Sequence, residues 1–169
     1  CTVVDFWSAG IVVESTLPSV NPYRCHYTVV SNSICINGTI GFYCEDAENV
    51  TFIGCQAYNM SLKESAYSVS VGYNSKRDTT RNLKYIGCTA SGIDKYGWLL
   101  GADESLIQGC TIMDCERGIH MSWANDSIIT DNSIKDISKF GITVADSSHT
   151  CHNVTITNNM LRNWGSTSM

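Results

Sequence analysis

Asn49-Val50-Thr51-Phe52-Ile53-Gly54-Cys55 and Asn82-Leu83-Lys84-Tyr85-Ile86-Gly87-Cys88 are one seven-residue frame written twice. Four further stretches fall on the same frame: His26 to Asn32, Glu104 to Cys110, Asp126 to Asn132 and Asn153 to Asn159. The closing position then reads Asn32, Cys55, Cys88, Cys110, Asn132 and Asn159, at spacings of 23, 33, 22, 22 and 27 residues. A period near 22 that tolerates insertions marks a solenoid. Each unit is too small to bury its own apolar face, so it must stack on the next.

Two short strands per unit can be aligned. The first holds Val50 and Phe52, Leu83 and Tyr85, or Val154 and Ile156, and an apolar residue recurs two places past the closing position at Ile34, Ala57, Ala90, Ile112, Ile134 and Leu161. Alternation of this kind buries one face of a strand. Eight or nine residues after the closing position a glycine opens the second strand: Gly41, Gly97, Gly118 and Gly141, with Gly10 matching them. The pattern points Phe42, Trp98, Ile119 and Ile142 inward, followed by Cys44, Leu100, Met121 and Val144, and turns Tyr43, Leu99, His120 and Thr143 to solvent. The third unit reads as lacking the glycine, which places its second strand within Ala66 to Val71. No stretch carries a helical period.

With its N-V-T-I-T-N-N strand at 153–159, its F-G-I-T-V strand at 140–144 and the Asn/Cys column, the chain resembles the pectate-lyase-like superfamily. The resemblance runs from about Ala9 to Arg162. It implies an all-β fold, a single-stranded right-handed parallel β-helix over residues 1–169 as one domain. About seven coils at ~4.8 Å each would make a rod of roughly 34 Å. The same fold carries lyases, hydrolases, epimerases, tailspikes and adhesins, so it names no reaction. The NTD, DD, GHG and RIK motifs of polygalacturonases are absent, and no lyase set of calcium aspartates plus arginine can be matched.

Composition narrows the class further. A net charge of −5 argues against a general nucleic-acid partner. No run of about 18 apolar residues exists, so no segment reads as a membrane span. The chain opens at Cys1 without Met, which reads as a piece or an assembled subunit of something larger, its ends capped by further chain or by other copies. Nine cysteines cannot all pair with one another. Cys55, Cys88 and Cys110 replace Asn in the column and read as small buried fillers. Asn37, Asn49, Asn59, Asn125 and Asn153 open N-x-Ser/Thr sequons, and turn chemistry explains them as well as glycosylation does.

Extra residues cluster between the second strand and the next frame, at Thr16–Cys25, Gly72–Arg81 and Ser147–His152. Insertions stacked at one corner often mark a binding face, although corners also simply tolerate them. Tyr23, Arg24, Tyr73, Lys76, Arg77 and Arg81 lie there, and with Trp123 they form the candidate substrate-binding set. Aromatics beside cations suit sugar rings and carboxylates.

Glu104 and Asp126 share a frame position on adjacent units, with Asp103 beside Glu104. Carboxylates about 5 Å apart raise one another's pKa, as a general acid requires. Two such groups are what glycoside hydrolysis uses. The position also reads as a turn, because Asn49, Asn82 and Asn153 occupy it elsewhere. His120 and Arg117 complete the catalytic candidates as base and charge stabiliser. No cofactor is firmly implied; calcium is the metal the resemblance allows. The reading is therefore an extracellular or particle-surface β-helix that binds, and in one version cleaves, a polysaccharide. Its alternative is a non-catalytic rod segment of a tailspike, adhesin or filament.

Overall fold

The computed structural model describes residues 1–14, 25–62, 70–75, 80–144 and 150–164. Its strands, in chain order, are β1 (Thr2–Val4), β2 (Ala9–Glu14), β3 (Cys25–His26), β4 (Val29–Ser31), β5 (Ile34–Ile36) and β6 (Ile40–Glu45). They continue with β7 (Ala47–Ile53), β8 (Gln56–Met60), β9 (Val71–Ser75), β10 (Arg81–Ile86), β11 (Thr89–Leu100) and β12 (Leu106–Gln108). The last are β13 (Thr111–Met121), β14 (Ile128–Thr130), β15 (Ser133–Val144), β16 (Thr155–Thr157) and β17 (Met160–Trp164).

Among the described residues every strand pairing is parallel and joins one coil to the next, which is a parallel β-helix. Three faces run along it. The first stacks β1, β5 and β8 on the opening halves of β11, β13 and β15, and ends at β17. The second stacks β2, β6 and β9 on the closing halves of β11, β13 and β15. The third runs from β3 and β4 through β7, β10, β12 and β14 to β16. Register shifts between Ile93 and Tyr96, and between Cys115 and Arg117, mark the bend from the first face to the second.

The register corrects the sequence reading in two places. Val29 pairs with Thr51, so Ser33 and not Asn32 stands opposite Cys55. Asn32 instead matches Gly54, Gly87, Gly109, Asp131 and Asn158, and all of these have positive φ. Both columns accept Asn, so residue type alone could not separate them. Second, Val71 pairs with Ile40, which sets Gly72 beside Gly41. The third coil therefore keeps the glycine, and its extra residues lie earlier, between β8 and β9. A Cβ on Gly72 would stand 2.8 Å from the carbonyl oxygen of Gly97. The glycine column exists because successive bends touch backbone to backbone.

The column at the closing position bonds the coils together. Cys55 Sγ donates to Val30 O at 3.3 Å, Cys88 Sγ to Phe52 O at 3.4 Å and Cys110 Sγ to Tyr85 O at 3.4 Å. Asn132 and Asn159 donate their amides to Ile107 O and Ile129 O, the same carbonyl one coil back. Cysteine thus does the asparagine's work with a thiol. All nine cysteines are free, and Cys55, Cys88 and Cys110 are buried. Other turns use left-handed residues: Asp5, Asn37, Asn59, Gly92, Asp114, Asp136 and Asn163 form one such column, with φ from 50° to 67°. Four of the sequon asparagines (Asn37, Asn49, Asn59 and Asn153) occupy left-handed positions, where the short amide side chain tolerates the strain.

Candidate functional site

The outer surface of the second face carries the most concentrated chemistry. Tyr96, Arg117 and Phe140 each precede a bend glycine and lie in register on successive coils. Arg117 is held between the two rings, its Cζ 5.3 Å from the Tyr96 centroid and 5.5 Å from that of Phe140. Its Nη1 donates to the Tyr96 hydroxyl at 3.2 Å, and its Nε lies 3.6 Å from Glu116 Oε1. Lys139 Nζ approaches the same Glu116 oxygen at 3.2 Å, whereas Lys95 lies over the Tyr96 ring at 5.8 Å. Lys139 and Glu116 thus pair across adjacent coils, whereas the Lys95 cation lies over the ring of its own chain neighbour.

His120 follows on the same face, between inward Ile119 and Met121, but it is only 5% exposed. The expectation of a solvent-facing histidine fails because the Tyr96 ring packs against the imidazole at 5.3 Å. Its Nε2 lies 3.1 Å from Ser122 Oγ. Tyr43, expected in solvent by the same alternation, is 6% exposed and donates its hydroxyl to Glu45.

Where β13 ends, the chain takes one more residue to reach Ala124 than the coil before takes from Leu100 to Ala102. The extra residue is accommodated by a left-handed Trp123, φ 59°. Trp123 and Ser122 line a groove of about 250 Å³ with Asn74, Ser75, Leu99 and Gly101. Two other concavities lie over turn columns, one lined by Asn49 and Asn82, the other by Asp5 and Asn37. Their side chains bond one another, so those hollows belong to the ladder.

The remaining candidates fall elsewhere. Tyr73 is fully buried, stacked between Phe42 at 4.8 Å and Trp98 at 4.3 Å, and its hydroxyl donates to Cys55 O. It cannot touch a ligand; its misplacement follows from the missed Gly72, which makes it an inward strand residue. Arg81 opens β10 on the third face, its Nε 3.2 Å from Glu48 Oε1. Glu48 also faces His26 at 3.6 Å. Tyr23, Arg24, Lys76 and Arg77 lie outside the described residues.

Asp103, Glu104 and Asp126 sit at the corner leading into the third face. Asp103 Oδ1 accepts from the Asn125 N–H at 2.7 Å, and one coil on Asn125 Oδ1 accepts from the His152 N–H at 2.9 Å. Asp126 Oδ1 accepts from the Asn153 amide at 2.9 Å. Glu104 and Asp126 share the left-handed column with Asn49, Asn82 and Asn153. Asp103 and Asp126 thus bond the next coil through their carboxylates, and Glu104 shares the turn column through its left-handed backbone. Among the described residues no group of three or more His, Cys, Asp or Glu side chains is placed to hold a metal ion.

Tyr96, Phe140, Ser122, Asn74 and Leu99 were not anticipated. The signal for the first two was present: each stands directly before a glycine of the bend column, as Arg117 does.

Comparison with known proteins agrees with the geometry. The family model for a right handed beta helix region matches residues 23–168, and the chain belongs to that family. Its coils are therefore right-handed. No curated protein matches the sequence. Among solved structures, a trypsin-treated variant of QnrB1, a plasmid-mediated fluoroquinolone resistance protein, is 14% identical. That match covers 94% of this chain and 93% of the other, with a TM-score of 0.28, too low to bear on fold or function.

Proposed function

We propose that this β-helix binds a polysaccharide at an extracellular or particle surface, along the outer side of its second face. One observation carries the reading: Arg117 is clamped between Tyr96 and Phe140 on the face that also carries the groove lined by Trp123. Aromatic planes and a partly desolvated guanidinium are the groups that dominate recognition sites. Two of the candidate carboxylates, Asp103 and Asp126, accept from backbone and amide donors of the next coil, which favours binding over cleavage.

A glycan array followed by calorimetry tests the reading. Trp123→Ala should weaken binding of the best glycan at least about tenfold. Arg117→Ala should weaken it for anionic glycans, with a loss that shrinks in high salt. An array on which the folded protein binds nothing, or affinities untouched by both variants, would overturn it.

Failure of the glycan experiments would leave the alternative of a non-catalytic rod segment standing.

A further inference from the structure

We propose that Ser122 and His120 form a nucleophile–base pair that hydrolyses an acyl ester, the alcohol side being a hydroxyl of the bound polysaccharide. The identity of that alcohol rests on the glycan reading; the pair itself does not.

Three other buried serines hold local turns. Ser33 gives its hydroxyl to Ser31 O, Ser105 to Ala102 O and Ser127 to Asn125 O. Each satisfies a local turn. Ser122 differs: its Oγ lies 3.1 Å from His120 Nε2. That is the reach a general base needs to take a hydroxyl proton. The imidazole is pinned, because His120 is 5% exposed and lies against Tyr96, which Arg117 holds through its hydroxyl. Ser122 is 8% exposed and lines the groove, whose volume of about 250 Å³ is large enough for a small acyl group. Asn74 lines the same groove and carries an amide of the kind that stabilises an oxyanion.

The chemistry balances without a cofactor. Ser122 Oγ attacks the ester carbonyl while His120 Nε2 takes the hydroxyl proton. The bond from acyl carbon to sugar oxygen breaks, and His120 returns the proton to that oxygen. Water then attacks the acyl-serine, giving a proton to His120 as its oxygen bonds the acyl carbon. Ser122 leaves and recovers the proton, and a free carboxylic acid departs. The net change is ester plus water to acid plus alcohol.

A fluorophosphonate probe tests the pair without any glycan. The wild-type protein should be labelled once, with peptide mass spectrometry placing the adduct on Ser122. Labelling should vanish in Ser122→Ala and fall at least about 100-fold in rate in His120→Gln, provided circular dichroism shows both folded. Hydrolysis of p-nitrophenyl acetate should fall in parallel. Wild-type protein that stays unlabelled, or labelling that persists in Ser122→Ala, overturns the proposal whether or not the variants fold. Ser122 labelling in a wild-type protein that binds no glycan on the array would keep the pair and overturn the glycan reading, whereas glycan binding by a wild-type protein that stays unlabelled would do the reverse.

Discussion

Tyr73 lies flat against Trp98, with ring centroids 4.3 Å apart and planes 11° from parallel. Phe42 covers the other side of Tyr73 at 4.8 Å, while Phe52 and Tyr85 stack at 5.1 Å from the opposite wall. The two stacks meet edge to face, Tyr73 to Tyr85 at 5.6 Å and Tyr85 to Trp98 at 6.1 Å. Such rings gain from geometry as well as from area. Trp98→Ala should therefore cost about 3–5 kcal/mol, since it opens a cavity in the middle coils. Tyr73→Phe keeps the stack and removes one donor to Cys55 O, and should cost about 1 kcal/mol. Urea melts read both, and equal losses would show that the hydroxyl, not the stack, holds this region.

The glycines separate two physical roles. Gly97 is limited by space: an added Cβ would meet Ile112 Cγ2 at 2.7 Å and Gly118 O at 2.8 Å. Gly97→Ala should lose about 1–3 kcal/mol through overpacking. Gly87 has φ +59° with nothing within 4 Å of an added Cβ, so only backbone strain opposes a side chain. Asn32 and Asn158 already hold this position on other coils. Gly87→Asn should thus stay near wild type in a urea melt and Gly87→Val should not, because a β-branched residue fits the left-handed region poorly.

Burial pushes the Cys44 and Cys115 thiols up to about 12. Both stay protonated in the fold while the unfolded chain begins to ionise near pH 9. A raised folded pKa gives stability that is complete below the unfolded value and lost as pH climbs toward the folded one. Stability should fall above pH ~9 at roughly 1.4 kcal/mol per pH unit for each such thiol. Tyr73 and Tyr85 are raised well above 10.0, so they add to the loss only beyond that pH. Between about pH 9 and 10, Cys115→Ala should flatten the slope of stability against pH even though it lowers the absolute value. Parallel slopes in the two proteins would remove Cys115 from the account.

Sequence reading recovered whatever repeated and lost whatever depended on neighbours. Gly41, Gly97, Gly118 and Gly141 with their following apolar residues were legible, because the bend demands the same residue each time. Gly72 was missed since the extra residues between Met60 and Val71 shifted its distance from Cys55, and that displacement sent Tyr73 to the surface on paper. His120 was rightly placed on the outer side, but alternation says which way a side chain points and not what lies over it. The Tyr96 ring comes from the adjacent coil, a contact set by register and hidden in the linear order. Arg117 was singled out as a charge, yet its clamp required Tyr96 and Phe140 to align across three coils.

The carboxylates offer the sharpest separation of turn-holding from catalysis. Asp103 accepts the Asn125 N–H, and Asn125 repeats the same contact to His152 one coil later. Asp103→Ala leaves a part-buried N–H without its acceptor and should cost about 1–2 kcal/mol. Asn125→Ala should lose a similar or smaller amount, since its contact is exposed. Asp103→Asn keeps an acceptor oxygen and should melt close to wild type. Glu104 and Asp126 are both exposed and occupy neighbouring rungs of one column, where like charges repel. Asp126→Asn preserves the bond from Asn153 and removes that repulsion, so it should raise the urea midpoint slightly, with the gain disappearing in high salt. A catalytic pair predicts a different pattern: Glu104→Gln and Asp126→Asn would leave stability alone and abolish turnover of a cleaved glycan. Measuring both melts and reducing-end release on the same variants decides between them, and unchanged stability in Asp103→Ala would sink the turn-holding assignment.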